Sequence, residues 1–341
     1  MPDSFFTFLV IIFAGALAWL IHHVVERIKR SNSKEKILSI EEELDQLYRE
    51  IEEEARSRPS QKSHNQDDIS EDDEDDIDDV KAFYQRNKAV IDAAEKPMIR
   101  IKADQTKKPG LTSSKFGGLP YWPQGMDYPT DPEGKPLHLL AQINFEELPK
   151  LKPFPNTGLL QFFISSDNGY GADRDHPSAQ KGFRVVYHQT YDPKSQQNLE
   201  AMDLTSAEHE LPFHSMDGFA LSFTTSTQIP SSDIYNETIT AQLSEEDREL
   251  FIDYFYHDWE DRFSDGIMHQ MGGYPNLCQG DPRDAPLSHD RTSKDFLLLQ
   301  IDSDSANQIR WGDSGTAAFF ISEKDLKKRD FSNVMYYWDC F

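Results

Sequence analysis

Leu140-Ala141-Gln142-Ile143-Asn144 and Leu298-Leu299-Gln300-Ile301-Asp302 are nearly the same five residues, written 158 positions apart. Three further pairs stand in the same order around them. Gly117-Gly118-Leu119-Pro120 matches Gly272-Gly273-Tyr274-Pro275 at an offset of 155. Asn156-Thr157-Gly158 matches Asp313-Ser314-Gly315, and Phe162-Phe163-Ile164-Ser165 matches Phe319-Phe320-Ile321-Ser322, both at an offset of 157. Four ordered matches at nearly one offset identify an internal repeat. The chain therefore reads as two related halves, about 110–165 and 265–325, packed into one globular domain over residues 80–341.

Each half makes local sense. A strand ending Gln-Ile-Asn or Gln-Ile-Asp leads into Asn-Thr-Gly or Asp-Ser-Gly, which suits a hairpin loop with its Gly in the left-handed region. The strand after it is apolar throughout, as expected when both faces are buried. Ser322, three residues before Asp325, predicts a capped short helix over Glu323–Lys328. Leu159–Ser165, Phe183–His188 and Phe219–Thr224 read as strands. Helices are expected over Asp78–Glu95, closed by Lys96-Pro97, and from Ser244 onward. There Phe251, Phe255, Trp259 and Phe263 recur every four residues and read as core. The expected fold class is α+β, mostly antiparallel sheets with surrounding helices.

GGLPYWP (117–123), LLAQINFEEL (139–148), GLLQFFIS (158–165), LLLQIDSD (297–304), WGDSGTAAFFI (311–321) and DLKKRDFSNVMYYWD (325–339) together resemble the YwqG-like family, a domain of unknown function. The resemblance covers about residues 80–341. It implies a cytoplasmic α+β domain of duplicated build and brings no catalytic residue with it.

The 341 residues include 35 Lys+Arg and 60 Asp+Glu, a net charge of −25. Residues 1–80 hold 9 of the basic and 21 of the acidic residues, so nearly half the imbalance precedes the domain. With no Lys/Arg stripe, nucleic acid is excluded as a partner. Phe5–Ile21 is uncharged and predicts a single transmembrane helix within an anchor at 1–30. Arg27, Lys29, Arg30, Lys34 and Lys36 follow it, which places the N-terminus outside and the domain in the cytoplasm, tethered to the inner membrane. In the helical stalk expected at 31–58, Ile37, Ile40, Leu44, Leu47 and Ile51 form a short heptad seam that suits a weak homodimer through 37–51. The run 59–79, acidic from Asp67 onward, reads as an extended, disordered spacer.

Several residue types suggest chemistry, each beside a plainer role. Gln142 and Gln300 close matched strands; their amides suit a peptide backbone or small polar ligand, or else buried backbone groups of the protein itself. Asp313 follows Trp311 and Gly312 at the second hairpin, where it either faces a ligand or bonds its own turn. Tyr121-Trp122-Pro123 forms an aromatic shelf or packs in the core. His269 precedes the second Gly-Gly, with Cys278 and Asp281 beyond it, the one grouping with nucleophile and base types. Asp173-Arg174-Asp175-His176 has metal-ligand types but no second cluster, and reads as a solvated turn. Gly110, Gly117, Gly118 and Gly125 lack the order of a phosphate loop. Cys278 and Cys340 read as thiols of a reducing compartment.

No metal or cofactor is expected. The expected function is a membrane-tethered cytoplasmic module binding a protein, of the immunity type for instance, or a small polar ligand. Its candidate ligand-binding residues are Trp122, Gln142, His269, Gln300, Trp311 and Asp313. The alternative is a hydrolase-type site near His269, Asp281 and Asp313.

Overall fold

The computed structural model describes residues 71–202, 204, 210–213, 217–228, 239–248, 250–251, 269–283 and 293–340. The anchor, the stalk, the 37–51 seam and the spacer up to residue 70 lie outside them. A compact unit spans Asp75–Phe341. It is entered by helix α1 (Glu71–Ala94). The helix begins inside the acidic run that reads as spacer. Phe83 and Ile91 of α1 pack on Ile239, Leu243 and Phe251, and Asp247 accepts from Arg86 and Asn87 of α1. Phe255, Trp259 and Phe263 of the expected aromatic stripe are outside the described residues.

Among the described residues ten strands form one sheet, and every pairing is antiparallel. They are β1 (Lys96–Asp104), β2 (Lys115–Phe116), β3 (His138–Asn144), β4 (Leu159–Ile164), β5 (Phe183–His188), β6 (Phe219–Gln228), β7 (Gln270–Gly272), β8 (Phe296–Asp302), β9 (Thr316–Ile321) and β10 (Met335–Asp339). Helix α2 (Glu323–Lys328) links the last two, with Ser322 as its cap accepting from the Asp325 N–H.

The spatial order is β10-β9-β8-β7-β1-β6-β2-β3-β4-β5. The first strand of each half has crossed over: β1 lies beside β7 of the second half, and β6 beside β2 of the first. Phe116 pairs with Phe219, while Met271, the counterpart of Phe116, pairs with Ile99. That correspondence puts a pseudo-two-fold axis at the Lys102–Ser222 pair of the β1–β6 ladder. The repeat reaches into fine detail. Register shifts fall between Leu139 and Ala141 in β3 and between Leu297 and Leu299 in β8, the same bulge in both halves.

The sheet curls until its two ends meet, making a nearly closed barrel. Phe162 of β4 lies 4.8 Å from Phe319 of β9, and Phe183 of β5 lies 5.2 Å from Tyr336 of β10. The Tyr336 N–H donates to the Pro177 carbonyl, and the Gln180 amide donates to the carbonyls of Phe331 and Ser332. This corrects the expected α+β class with helices around the sheets. Strands β3, β4 and β9 are buried at every position because the far side of the same sheet supplies much of the cover that helices were expected to supply.

The expected N-terminal transmembrane helix finds no support either. Among the described residues no helix is long and apolar enough to cross a membrane, and Phe5–Ile21 falls outside them.

Candidate functional site

The matched glutamines are latches. Gln142 Oε1 accepts the Tyr121 N–H at 3.0 Å, and Gln300 Oε1 accepts the Asn276 N–H at 2.9 Å. In both halves the donor is the fifth residue of the Gly-Gly-x-Pro-x turn. Gln142 also donates to the carbonyls of Leu111 and Ser113. Both side chains are fully buried, so they satisfy backbone groups and present no amide to solvent.

His269 has a counterpart too. Its Nδ1 accepts the Asp302 N–H at 2.9 Å, and Ser114 Oγ accepts the Asn144 N–H at 2.9 Å at the matching place. The carbonyl of His269 accepts from Ile101, as that of Ser114 accepts from Leu221. With Nδ1 accepting, Nε2 is the donor nitrogen of the ring. That atom faces Asp304 Oδ2 at 3.5 Å, ion-pair range without hydrogen-bond geometry. Burial would raise the Asp304 carboxyl, but the His269 ring and the two donors of Asn307 outweigh it and hold it down at about 2. His269 and Asp304 border a cavity of about 370 Å³ beside β1 and β6, near the pseudo-two-fold axis.

The other expected site residues do not join them. Trp122 is core: its ring packs edge-on against Phe163 and His188, and its Nε1 donates to the Met126 carbonyl. Trp311 is wholly buried against Tyr170. Asp313 is exposed on its turn, 3.4 Å from Arg310. Asp281 is held by Arg283, whose guanidinium also lies over the Phe320 ring. Burial, with the carboxylates of Asp339 and Asp302 adding to it, pushes the Cys278 thiol up to about 12. Asp173 accepts from the N–H groups of Asp175 and His176, an exposed turn closing on itself. Among the described residues no three His, Cys, Asp or Glu side chains converge as a metal site would require.

A groove of about 710 Å³ lies in the second half, lined by Asn276, Cys278, Asp302, Ser305, Arg310 and Thr316 among others. None of the six expected ligand-binding residues lines it. The matching place in the first half is filled. There Tyr191 packs on the Tyr121 ring at 5.9 Å, its hydroxyl accepts from the Asn144 amide, and it donates to Glu146. The Tyr121 hydroxyl in turn accepts the Asp192 N–H. Asn276 stands where Tyr121 does and Asp302 where Asn144 does. The signal in the sequence was a difference between repeats, Tyr against Asn and Asn against Asp, and the eye is drawn to identities.

Among curated proteins no relative matches the chain. A family model described as a domain of unknown function, DUF1963, matches residues 114–340, from the strand before the first Gly-Gly to the end of β10. The match takes in both halves of the repeat, and the chain belongs to the DUF1963 family.

Proposed function

We propose that this YwqG-like protein is a ligand-binding module and that its site is the groove of the second half, between Asn276–Cys278 and Asp302–Thr316. The observation behind this reading is that, among the described residues, a groove of about 710 Å³ lies in one half where the other half lays the half-buried Tyr191 of its own chain. Its lining mixes hydroxyls, a carboxylate, a guanidinium and short apolar walls, the composition of a site for a polar, partly apolar ligand. A protein segment fits better than a small metabolite, because the groove is open along one side.

The hydrolase alternative gains nothing from the geometry. His269 does for the Asp302 N–H what Ser114 does for that of Asn144, so its Nδ1 is committed and its Nε2 turns to Asp304. A general base needs a nitrogen free to take a proton from a bound nucleophile. Cys278 lines the groove while His269 lines the separate cavity, and Asp313 lines neither.

A display screen of random peptides against the full-length protein tests the reading, repeated on a Ser305→Trp variant that fills the groove. Selected peptides should lose at least tenfold in affinity for the variant. Binders that tolerate Ser305→Trp as well as wild type would place the site elsewhere and overturn the proposal.

A further inference from the structure

We infer that the groove accepts a tyrosine side chain from a segment of a partner protein, which rests on the reading of the groove as the binding site. The first half is an internal model of the complex. Tyr191 there sits between the Tyr121 ring and the Asn144 and Glu146 side chains, on a segment that continues along the chain. Further on, the Gln124 N–H donates to Ser195 and the Trp122 carbonyl accepts from Gln197. Tyr191 thus leads into a turn at Asp192–Ser195, beyond which the chain pairs at one point, Pro123 with Gln196, against the Gly-Gly-Leu-Pro-Tyr-Trp-Pro segment.

Two differences set the chemistry of the second half. Asn276 in place of Tyr121 removes a ring, which leaves width for an incoming one. Asp302 in place of Asn144 replaces an amide that donates to the phenol with a carboxylate that only accepts. A tyrosine hydroxyl can donate to it; a phosphotyrosine would bring two negative charges against it. These backbone contacts do not transfer as a whole. The N–H groups of Cys278 and Gln279, which match Pro123 and Gln124, already donate to the Asp339 carboxylate. Recognition therefore centres on the ring and its hydroxyl, with backbone pairing secondary. Tyrosine suits this, since it brings a large apolar face and one polar tip with few rotatable bonds.

The probe is a synthetic peptide copying residues 189–199, whose one tyrosine is Tyr191. Binding to the full-length protein is followed by calorimetry and by NMR shifts of labelled Asn276 and Ser305. The expected result is saturable binding that shifts those resonances. It should fall about tenfold or more with alanine at the tyrosine, fall similarly with phosphotyrosine, and disappear in Ser305→Trp. The inference is overturned if the peptide does not bind, if the alanine peptide binds as well, or if the phosphopeptide binds more tightly. In those cases display-selected peptides that still need an open groove would leave the wider reading intact. Loss of groove dependence for every peptide would sink both.

Discussion

Gln142 and Gln300, 158 residues apart in the chain, make one and the same hydrogen bond, each accepting at Oε1 the N–H of the last residue in a Gly-Gly-x-Pro-x turn. The bond joins the third strand of a half to the turn after its second, so the repeat conserves a contact between elements along with the residues themselves. In the first half the bond sits in a longer chain. Gln161 donates to Gln142 and to the Tyr121 carbonyl, and its own Oε1 faces His188 Nε2 at 2.9 Å. The second half has Ala318 where the first has Gln161, opposite the latch in both registers.

Removing the latch should destabilise the fold with no change in surface. Gln142→Leu strands the Tyr121 N–H and removes the donor to two carbonyls, at about 1–3 kcal/mol for a buried group left unpaired. An overall loss of about 3 kcal/mol is expected in urea unfolding, and Gln300→Leu should also destabilise by about 1–3 kcal/mol. A neutral result at both positions would mean that the turns do not need their latches.

Gly118 and Gly125 both have positive φ, at +70° and +82°, but differ in surroundings. A Cβ on Gly118 would meet the Gly218 nitrogen at 2.7 Å and the Asp217 carbonyl carbon at 2.8 Å, whereas one on Gly125 meets nothing within 4 Å. Gly125→Ala should therefore show the conformational cost alone, about 1 kcal/mol. Gly118→Ala should cost about 2 kcal/mol or more, because it also forces apart two backbone segments that cannot swing aside. Thermal melts of the pair separate the two causes.

Lys115 is 3% exposed, and burial lowers its ammonium from 10.5 to about 8. Its Nζ donates to the Leu111 carbonyl at 3.1 Å, with no carboxylate among its bonded partners. The folded state thus holds this proton less firmly than the unfolded state does. Between about pH 8 and 10.5 the unfolded chain binds more protons, so the Lys115 contribution to stability rises with pH through that window. Below pH 8 the burial costs about 3 kcal/mol in full. Lys115→Met should raise stability at pH 7 and flatten the pH profile between 8 and 10.5. An unchanged profile in denaturant titrations would show that the amine is solvated.

Cys278 should resist alkylation although it borders the groove. A thiol moved from 9.0 up to about 12 is about a thousandfold less ionised at pH 8, and the greater nucleophilicity of the more basic thiolate returns part of that. Iodoacetamide at pH 8 should label Cys278 about thirtyfold or more slowly in the folded protein than in urea, as read by mass spectrometry of the digested protein. Equal rates would mean that Asp339 and the groove wall do not shield the sulfur.

The sequence by itself determined the repeat, the strands at Leu159–Ile164 and Phe183–His188, and the cap of α2, because each rests on residues close together in the chain. A Gly-Gly turn, an apolar run or a Ser three residues before an Asp imposes its geometry within a few bonds, and two copies made each sign readable twice. It also placed Gln142 and Gln300 at equivalent positions without telling which groups they would meet. Tertiary structure alone decided the crossing of β1 and β6, since pairing with a strand more than a hundred residues away leaves no trace in local pattern. It decided the curled sheet as well: an apolar strand looks the same whether a helix or its own barrel covers it. The groove followed from both. It lies where the two halves differ, at Asn276 and Asp302, and the difference is visible only when the matching Tyr191 is seen folded into place.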